Sequence, residues 1–127
     1  MKKTFFLFAG LFCFTGLLAQ SHEKPTYEMK QYYFVLLTKG PNRGQDSLTA
    51  AKIQDGHMAN IERLAKEGVL QVAGPFTDDQ NWRGLFIFDC KTQEEVEKHL
   101  KTDPAVSSGR LSYEIHPWMT AKGTCFK

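Results

Sequence analysis

The stretch 69–90, VLQVAGPFTDDQNWRGLFIFDC, decides the fold. Val69 to Ala73 reads as a strand closed by Gly74-Pro75. Phe76 to Arg83 is a polar turn region, and Gly84 to Cys90 is a second strand with Leu85, Phe86, Ile87 and Phe88 in a row. Two strands therefore follow each other with only a turn between them.

Upstream, Gln31 to Thr38 is a strand rich in aromatic and branched residues, and Lys39 to Asp46 is a loop carrying Gly40-Pro41-Asn42 and Gly44. That loop lacks phosphate-loop spacing and reads as a mobile rim. Ser47 or Asp46 can cap a helix over about Leu48 to Glu67, ended by Gly68. Its stripe is Ile53, His57, Ile61, Leu64 and Ala65. Downstream, Thr92-Gln93-Glu94-Glu95 is a capping box that opens a second helix. The stripe there is Val96, Leu100 and Asp103, and Pro104 stops it. After a loop through Gly109, Leu111 to His116 is the last strand, ended by Pro117-Trp118.

The order β-α-β-β-α-β is the split pattern of ferredoxin-like domains. It predicts an α+β fold, a four-stranded antiparallel sheet with two helices on one face. A sheet with one wet face alternates apolar and polar residues. The first and third strands do not alternate, so both faces want cover. The helices cover one; a second copy of the chain, joined sheet to sheet in a homodimer, is the expected cover of the other.

The 127 residues suit a single domain. Lys2 and Lys3 precede an apolar run from Thr4 to Leu18, which ends at Ala19-Gln20 before polar Ser21-His22-Glu23-Lys24. This describes a secretory signal peptide over 1–19, followed by a polar lead-in over 20–30 and the domain over 31–127. An uncleaved anchor is the alternative, although the run is shorter than the ~20 residues a membrane helix needs. The expectation is a secreted or periplasmic protein with no membrane contact after cleavage. Without Lys2 and Lys3 the 16 basic residues fall to 14, which equals the 14 acidic ones. No basic run survives, so nucleic acid is not an expected partner. Cys13 leaves with the signal. Cys90 and Cys125 remain, and spacing alone does not decide whether they pair. There is no zinc-type spacing, so neither a metal nor another cofactor is expected.

Two polar residues interrupt apolar stripes. His57 sits between Ile53 and Ile61, and Asp103 continues Val96 and Leu100. Both should point toward the sheet, and antiparallel helices bring them within reach of each other. As a helix C-terminal residue Asp103 would face the negative end of the macrodipole, an unfavourable placement of ~0.3–1 kcal/mol that a nearby imidazolium would offset. Paired with a carboxylate, His57 would have a fixed tautomer and suit general-base work. Gly56 beside it costs about 1 kcal/mol relative to Ala in a helix. Close approach of a ligand or a neighbouring backbone would justify it. The bland alternative is a satisfied core histidine and an Asp-Pro helix stop. Arg110 and Arg43 could hold an anionic substrate, although single arginines are usually surface residues. Trp118 and Tyr32 could stack on an aromatic ligand, with core packing the commoner role. His116 shares a face with Ser112 and Glu114 and could line the subunit interface. His99 and His22 look like solvent residues.

Residues 32–118 resemble the YCII-related domain family of the dimeric α+β barrel superfamily. The resemblance rests on His57-Met58, Leu64, Gly68-Val69-Leu70, Ala73-Gly74-Pro75, Gly84, Glu94-Glu95, Asp103-Pro104, Gly109 and Ile115-His116-Pro117-Trp118. It implies a subunit that dimerises through its sheet, and an active-site pair carried by His57 and Asp103. One family member is a dehydrochlorinase of a chlorinated hydroxyquinol, and muconolactone isomerases share the wider architecture. The resemblance thus implies cofactor-free proton transfer on a small cyclic or phenolic substrate, by a lyase or isomerase. Ala105 stands where the family often has an aromatic residue after Asp-Pro, and Gln54-Asp55-Gly56 lacks an arginine common before the histidine. A non-catalytic, exported small-ligand-binding module with a structural His–Asp pair is the other reading.

Overall fold

The computed structural model describes residues 26–124. The signal peptide, most of the polar lead-in, His22 and Cys125 lie outside the described residues. The elements are β1 (Met29–Lys39), α1 (Ser47–Lys66), β2 (Leu70–Pro75), β3 (Trp82–Phe88), α2 (Gln93–Lys101), α3 (Pro104–Ser107) and β4 (Leu111–Ala121). The four strands form one antiparallel sheet in the order β2-β3-β1-β4. This is the expected ferredoxin-like α+β arrangement, with a short third helix added.

Local chemistry explains the boundaries. Asp46 is the cap of α1, its Oδ1 accepting from Thr49 N at 2.9 Å. Thr92 caps α2 by accepting from Glu95 N at 3.3 Å, while the Glu95 carboxylate reaches back to Lys91 N at 2.9 Å. Gly68 follows α1 with φ of 75°, the left-handed conformation that suits glycine. The last strand runs on through Pro117-Trp118 to Ala121 instead of ending at His116. It is an edge strand, and an edge tolerates a residue without an N–H.

Strand alternation sorts the side chains. Tyr33, Val35 and Leu37 of β1, Phe86 and Phe88 of β3, and Leu70 of β2 face the helices, where they meet Leu64, Val96 and Leu100. Phe88, Val35 and Val96 are wholly buried. Truncating such a side chain costs about 2–5 kcal/mol, so this layer anchors the helices to the sheet. Tyr32, Phe34 and Leu36 point the other way, opposite Trp118, His116 and Glu114 of β4.

The loop from Gly40 to Asn42 is tied down. Gly40 N donates to Arg110 O at 3.0 Å, and Asn42 N donates to Gly109 O at 2.9 Å. A Cβ on Gly40 would collide with the Gly109 carbonyl, so the close approach requires glycine there. The rim read from sequence as mobile is thus bonded to the segment that leads into β4.

Candidate active site

His57 lies midway along α1, on the face that α1 turns toward the sheet, with only 11% of its side chain exposed. Its ring stacks on Phe86 with 6.0 Å between centroids. Asp103 lies between α2 and α3, with 1% of its side chain exposed. His57 Nδ1 and Asp103 Oδ2 are 2.7 Å apart. The pair anticipated from the two helix stripes is therefore in direct contact and buried.

Asp103 reaches this place by a route the stripes did not show. α2 stops at Lys101, and Pro104 opens α3 with Asp103 as its N-cap. The Asp103 Oδ1 atom accepts from Ala105 N at 2.8 Å. Asp103 thus stands at the positive end of a short helix and not at the negative end of a long one. The expected macrodipole penalty is replaced by a capping bond.

Asn60, one turn beyond His57, also joins the pair. Its Nδ2 donates to Asp103 Oδ2 at 3.4 Å, and its Oδ1 accepts from Arg63 Nη2 at 2.8 Å. Three N–H groups converge on one carboxylate, which fixes its orientation. Gly56 lets this happen: a Cβ there would lie 2.8 Å from Pro104 Cγ. The missing side chain allows α1 and α3 to close against each other beside the pair, the neighbour-approach explanation of that glycine.

With Nδ1–H donating to Asp103, a neutral His57 presents its Nε2 lone pair. The ring forms part of the wall of a cavity of about 410 Å³, within the ~300–1,000 Å³ range of small-molecule sites. Its lining includes apolar Leu37, Ile61 and Phe86 and basic Arg43, Arg83 and Arg110. Arg110 and Arg43 thus share the site with His57. Arg83 was not anticipated, because its place on the wall depends on the pairing of β2 with β3.

Tyr32, His116 and Trp118 do not join them. Tyr32 pairs with Trp118 and Phe34 pairs with His116 across β1 and β4, on the far face of the sheet. They share the parity of Ser112 and Glu114, as the alternation of the last strand indicated. Tyr32 and Trp118 line a second cavity of about 400 Å³ together with Phe34, Val72, Leu85 and Ile87. His116 instead lies 3.6 Å from Glu114 and tilts against Phe34. Within one chain, a molecule touching His57 is separated from these three residues by the sheet. His99 is not a plain solvent residue: it is half-buried and stacks on Phe88 with an 11° interplanar angle. Cys90 is half-buried, and burial, with Glu95 and Asp89 nearby, pushes its thiol pKa up.

The family model of the YCII-related domain matches residues 32–119. The chain belongs to this family. An uncharacterized protein of Bacillus subtilis strain 168, YjpA, is 31% identical over 67 residues, covering 53% of this chain and 76% of that protein. Muconolactone isomerase shares the fold at 14% identity and a TM-score of 0.58, over 76% of this chain and 96% of that one. The 5-chloro-2-hydroxyhydroquinone dehydrochlorinase of Burkholderia phenoliruptrix AC1100 is 25% identical with a TM-score of 0.49, over 68% of this chain and 92% of that one.

Proposed function

We propose that this YCII-related protein is a cofactor-free enzyme of lyase or isomerase type, acting on a small cyclic or phenolic substrate. The observation that carries the reading is the buried 2.7 Å contact between His57 Nδ1 and Asp103 Oδ2 at the wall of a cavity. Asp103 holds the imidazole in one tautomer, and Nε2 takes a proton from a substrate carbon. In an isomerase the released electron pair shifts a double bond, and the same proton returns to a second carbon. In a lyase the electron pair forms the new double bond as a leaving group departs with its own bonding pair. General-base assistance of this kind contributes about 10²–10⁴-fold in rate.

Deuterium incorporation from heavy water into a panel of cyclic ketones, lactones and phenols tests the reading. The wild type exchanges at least one carbon-bound hydrogen, and His57→Gln loses that exchange. Absent exchange across the panel, with ligand binding that survives both His57→Gln and Asp103→Asn, favours the binding module. The capping bond from Ala105 N gives that second reading its support, since Asp103 then has a structural task without any reaction.

The same proposal includes a homodimer across the open sheet face. Tyr32, Phe34, Leu85 and Trp118 cluster there, and no helix among the described residues lies above them. Uncovered apolar surface of that kind marks an association site. Light scattering at micromolar concentration gives twice the chain mass, and a monomer removes the dimer. Export completes the proposal. The intact mass of protein recovered outside the cytoplasm should match cleavage after residue 19, and an uncleaved cytoplasmic precursor removes it.

A further inference from the structure

We infer that the cavity beside His57 takes a small organic carboxylate, with its carboxylate group between Arg43, Arg83 and Arg110 and its carbon skeleton against Leu37, Ile61 and Phe86. This rests on the reading of that cavity as the substrate site. The three guanidiniums come from separate parts of the chain: the loop after β1, strand β3 and the residue before β4. Among the described residues no aspartate or glutamate lines the cavity with them. Beyond the leader the chain carries equal numbers of acidic and basic residues, so the excess here is local.

The hydrogen bonds of these arginines leave much of their charge uncompensated. Arg43 Nη1 donates to the Arg110 carbonyl at 2.9 Å, and Arg110 Nη1 donates to Gln45 Oε1 at 2.9 Å. Both acceptors are neutral, and among the described residues neither guanidinium has a carboxylate within ion-pair distance. Arg83 has one, Asp79 at 3.2 Å, which also pairs with Lys39 at 3.2 Å and feels Arg43 at longer range; because that carboxylate is 91% exposed, its field is screened by water. The backbone bonds from Gly40 and Asn42 to the 109–110 segment hold Arg43 and Arg110 beside each other without a ligand. A site organised in advance spends less of its binding energy on ordering. Guanidinium is charged at any working pH and matches a carboxylate as a planar fork. The lining also includes Leu37, Ile61 and Phe86, which suit a carbon skeleton better than an inorganic anion.

Calorimetric titration of the protein with benzoate, benzamide and inorganic phosphate tests the inference. Benzoate and benzamide share size and ring and differ in charge. Benzoate should bind about tenfold or more tighter than either of the others, and its affinity should fall as salt rises. Arg43→Gln combined with Arg110→Gln should weaken benzoate about tenfold or more without changing benzamide. Arg83→Gln, which leaves the tied loop intact, should weaken it in the same direction, and circular dichroism confirms that both variants fold. His57→Gln should retain benzoate binding. Equal affinity for benzoate and benzamide, tighter binding of phosphate, unchanged benzoate affinity in both arginine variants, or no benzoate binding at all overturns the inference. Retained, arginine-dependent benzoate binding in a protein that exchanges no carbon-bound hydrogen upholds it, while the proton-transfer reading fails.

Discussion

The two faces of the sheet carry cavities of nearly equal size, about 410 Å³ on the helix side and about 400 Å³ on the open side. The same strands line both, through alternate residues. The helix-side cavity holds a histidine tied to a buried carboxylate, and three arginines. The open-side cavity is walled by Tyr32, Phe34, Leu85, Ile87 and Trp118, with no charged residue among the described residues on its wall. Size alone thus distinguishes neither. What differs is the kind of polar group on the wall. The helix side carries a histidine–carboxylate pair and three guanidiniums; the open side carries neutral Gln71 and Thr124, each turned back onto a backbone carbonyl. The first suits chemistry and the second suits association.

The largest effect that tests this contrast is the loss of Asp103. Asp103→Ala leaves the Nδ1–H of a buried imidazole, the Asn60 side-chain amide and the backbone amide of Ala105 without their shared acceptor. Each buried donor left unsatisfied costs about 1–3 kcal/mol, and together these are a large part of a small domain's stability. Urea unfolding of the variant should show a midpoint lowered accordingly. A loss below about 1 kcal/mol would mean that the carboxylate is not the keystone of the helix side.

The open side should respond through association. Trp118 is 42% exposed in the single chain and lies opposite Tyr32. Trp118→Ala should weaken dimerisation by about 2 kcal/mol or more if it sits at the centre of the contact. Sedimentation measured over a concentration series reads this directly. A dimer of unchanged affinity moves the contact elsewhere and removes the division of labour between the faces.

Gly56→Ala sharpens the helix side alone. The substitution gains about 1 kcal/mol of helix propensity. Against that, the new Cβ meets Pro104 Cγ at 2.8 Å, and the proline ring has little freedom to yield. Overpacking costs about 1–3 kcal/mol, so a net loss near 1 kcal/mol is expected. Because Pro104 adjoins Asp103, the proposed proton transfer, where measured, should slow together with this loss. A stabilised and fully active variant would show that the contact relaxes without moving the pair.

The sequence carried much of this contrast and missed some of it for identifiable reasons. The unbroken apolar runs of the first and third strands showed that both faces need cover. His57 and Asp103 stood out as polar residues on apolar stripes. Asn60 did not, because the neighbouring Ile61 filled that turn of the stripe, although Ile53, His57, Asn60 and Leu64 also follow steps of three and four. The four-residue α3 left no periodicity to read, so Asp103 was placed at the wrong end of a dipole. Arg83 needed the pairing of β2 with β3 before it could be set beside Arg110. The continuation of β4 through Pro117 depended on its being an edge strand, which only the sheet order reveals.

The smallest expected effect concerns Cys90, just beyond the end of β3 and packed against the core of the helix side. Burial raises its thiol pKa, and the carboxylates of Glu95 and Asp89 act in the same direction. The thiolate is the nucleophile, so less of the reactive form exists near neutral pH than for an unhindered thiol. Iodoacetamide should therefore label Cys90 more slowly than it labels free glutathione at pH 7.5. The half-rise of the labelling rate should also come at higher pH than for an ordinary cysteine. The sign follows from the charge: folding disfavours the thiolate, so the native state suppresses ionisation and its advantage shrinks as pH climbs past the unfolded thiol pKa. Replacing Cys125 by Ser in protein expressed from residue 20 onward makes Cys90 its only thiol and isolates its signal. Rapid labelling at neutral pH would place Cys90 in water and loosen the edge of the core from which the helix-side cavity is built.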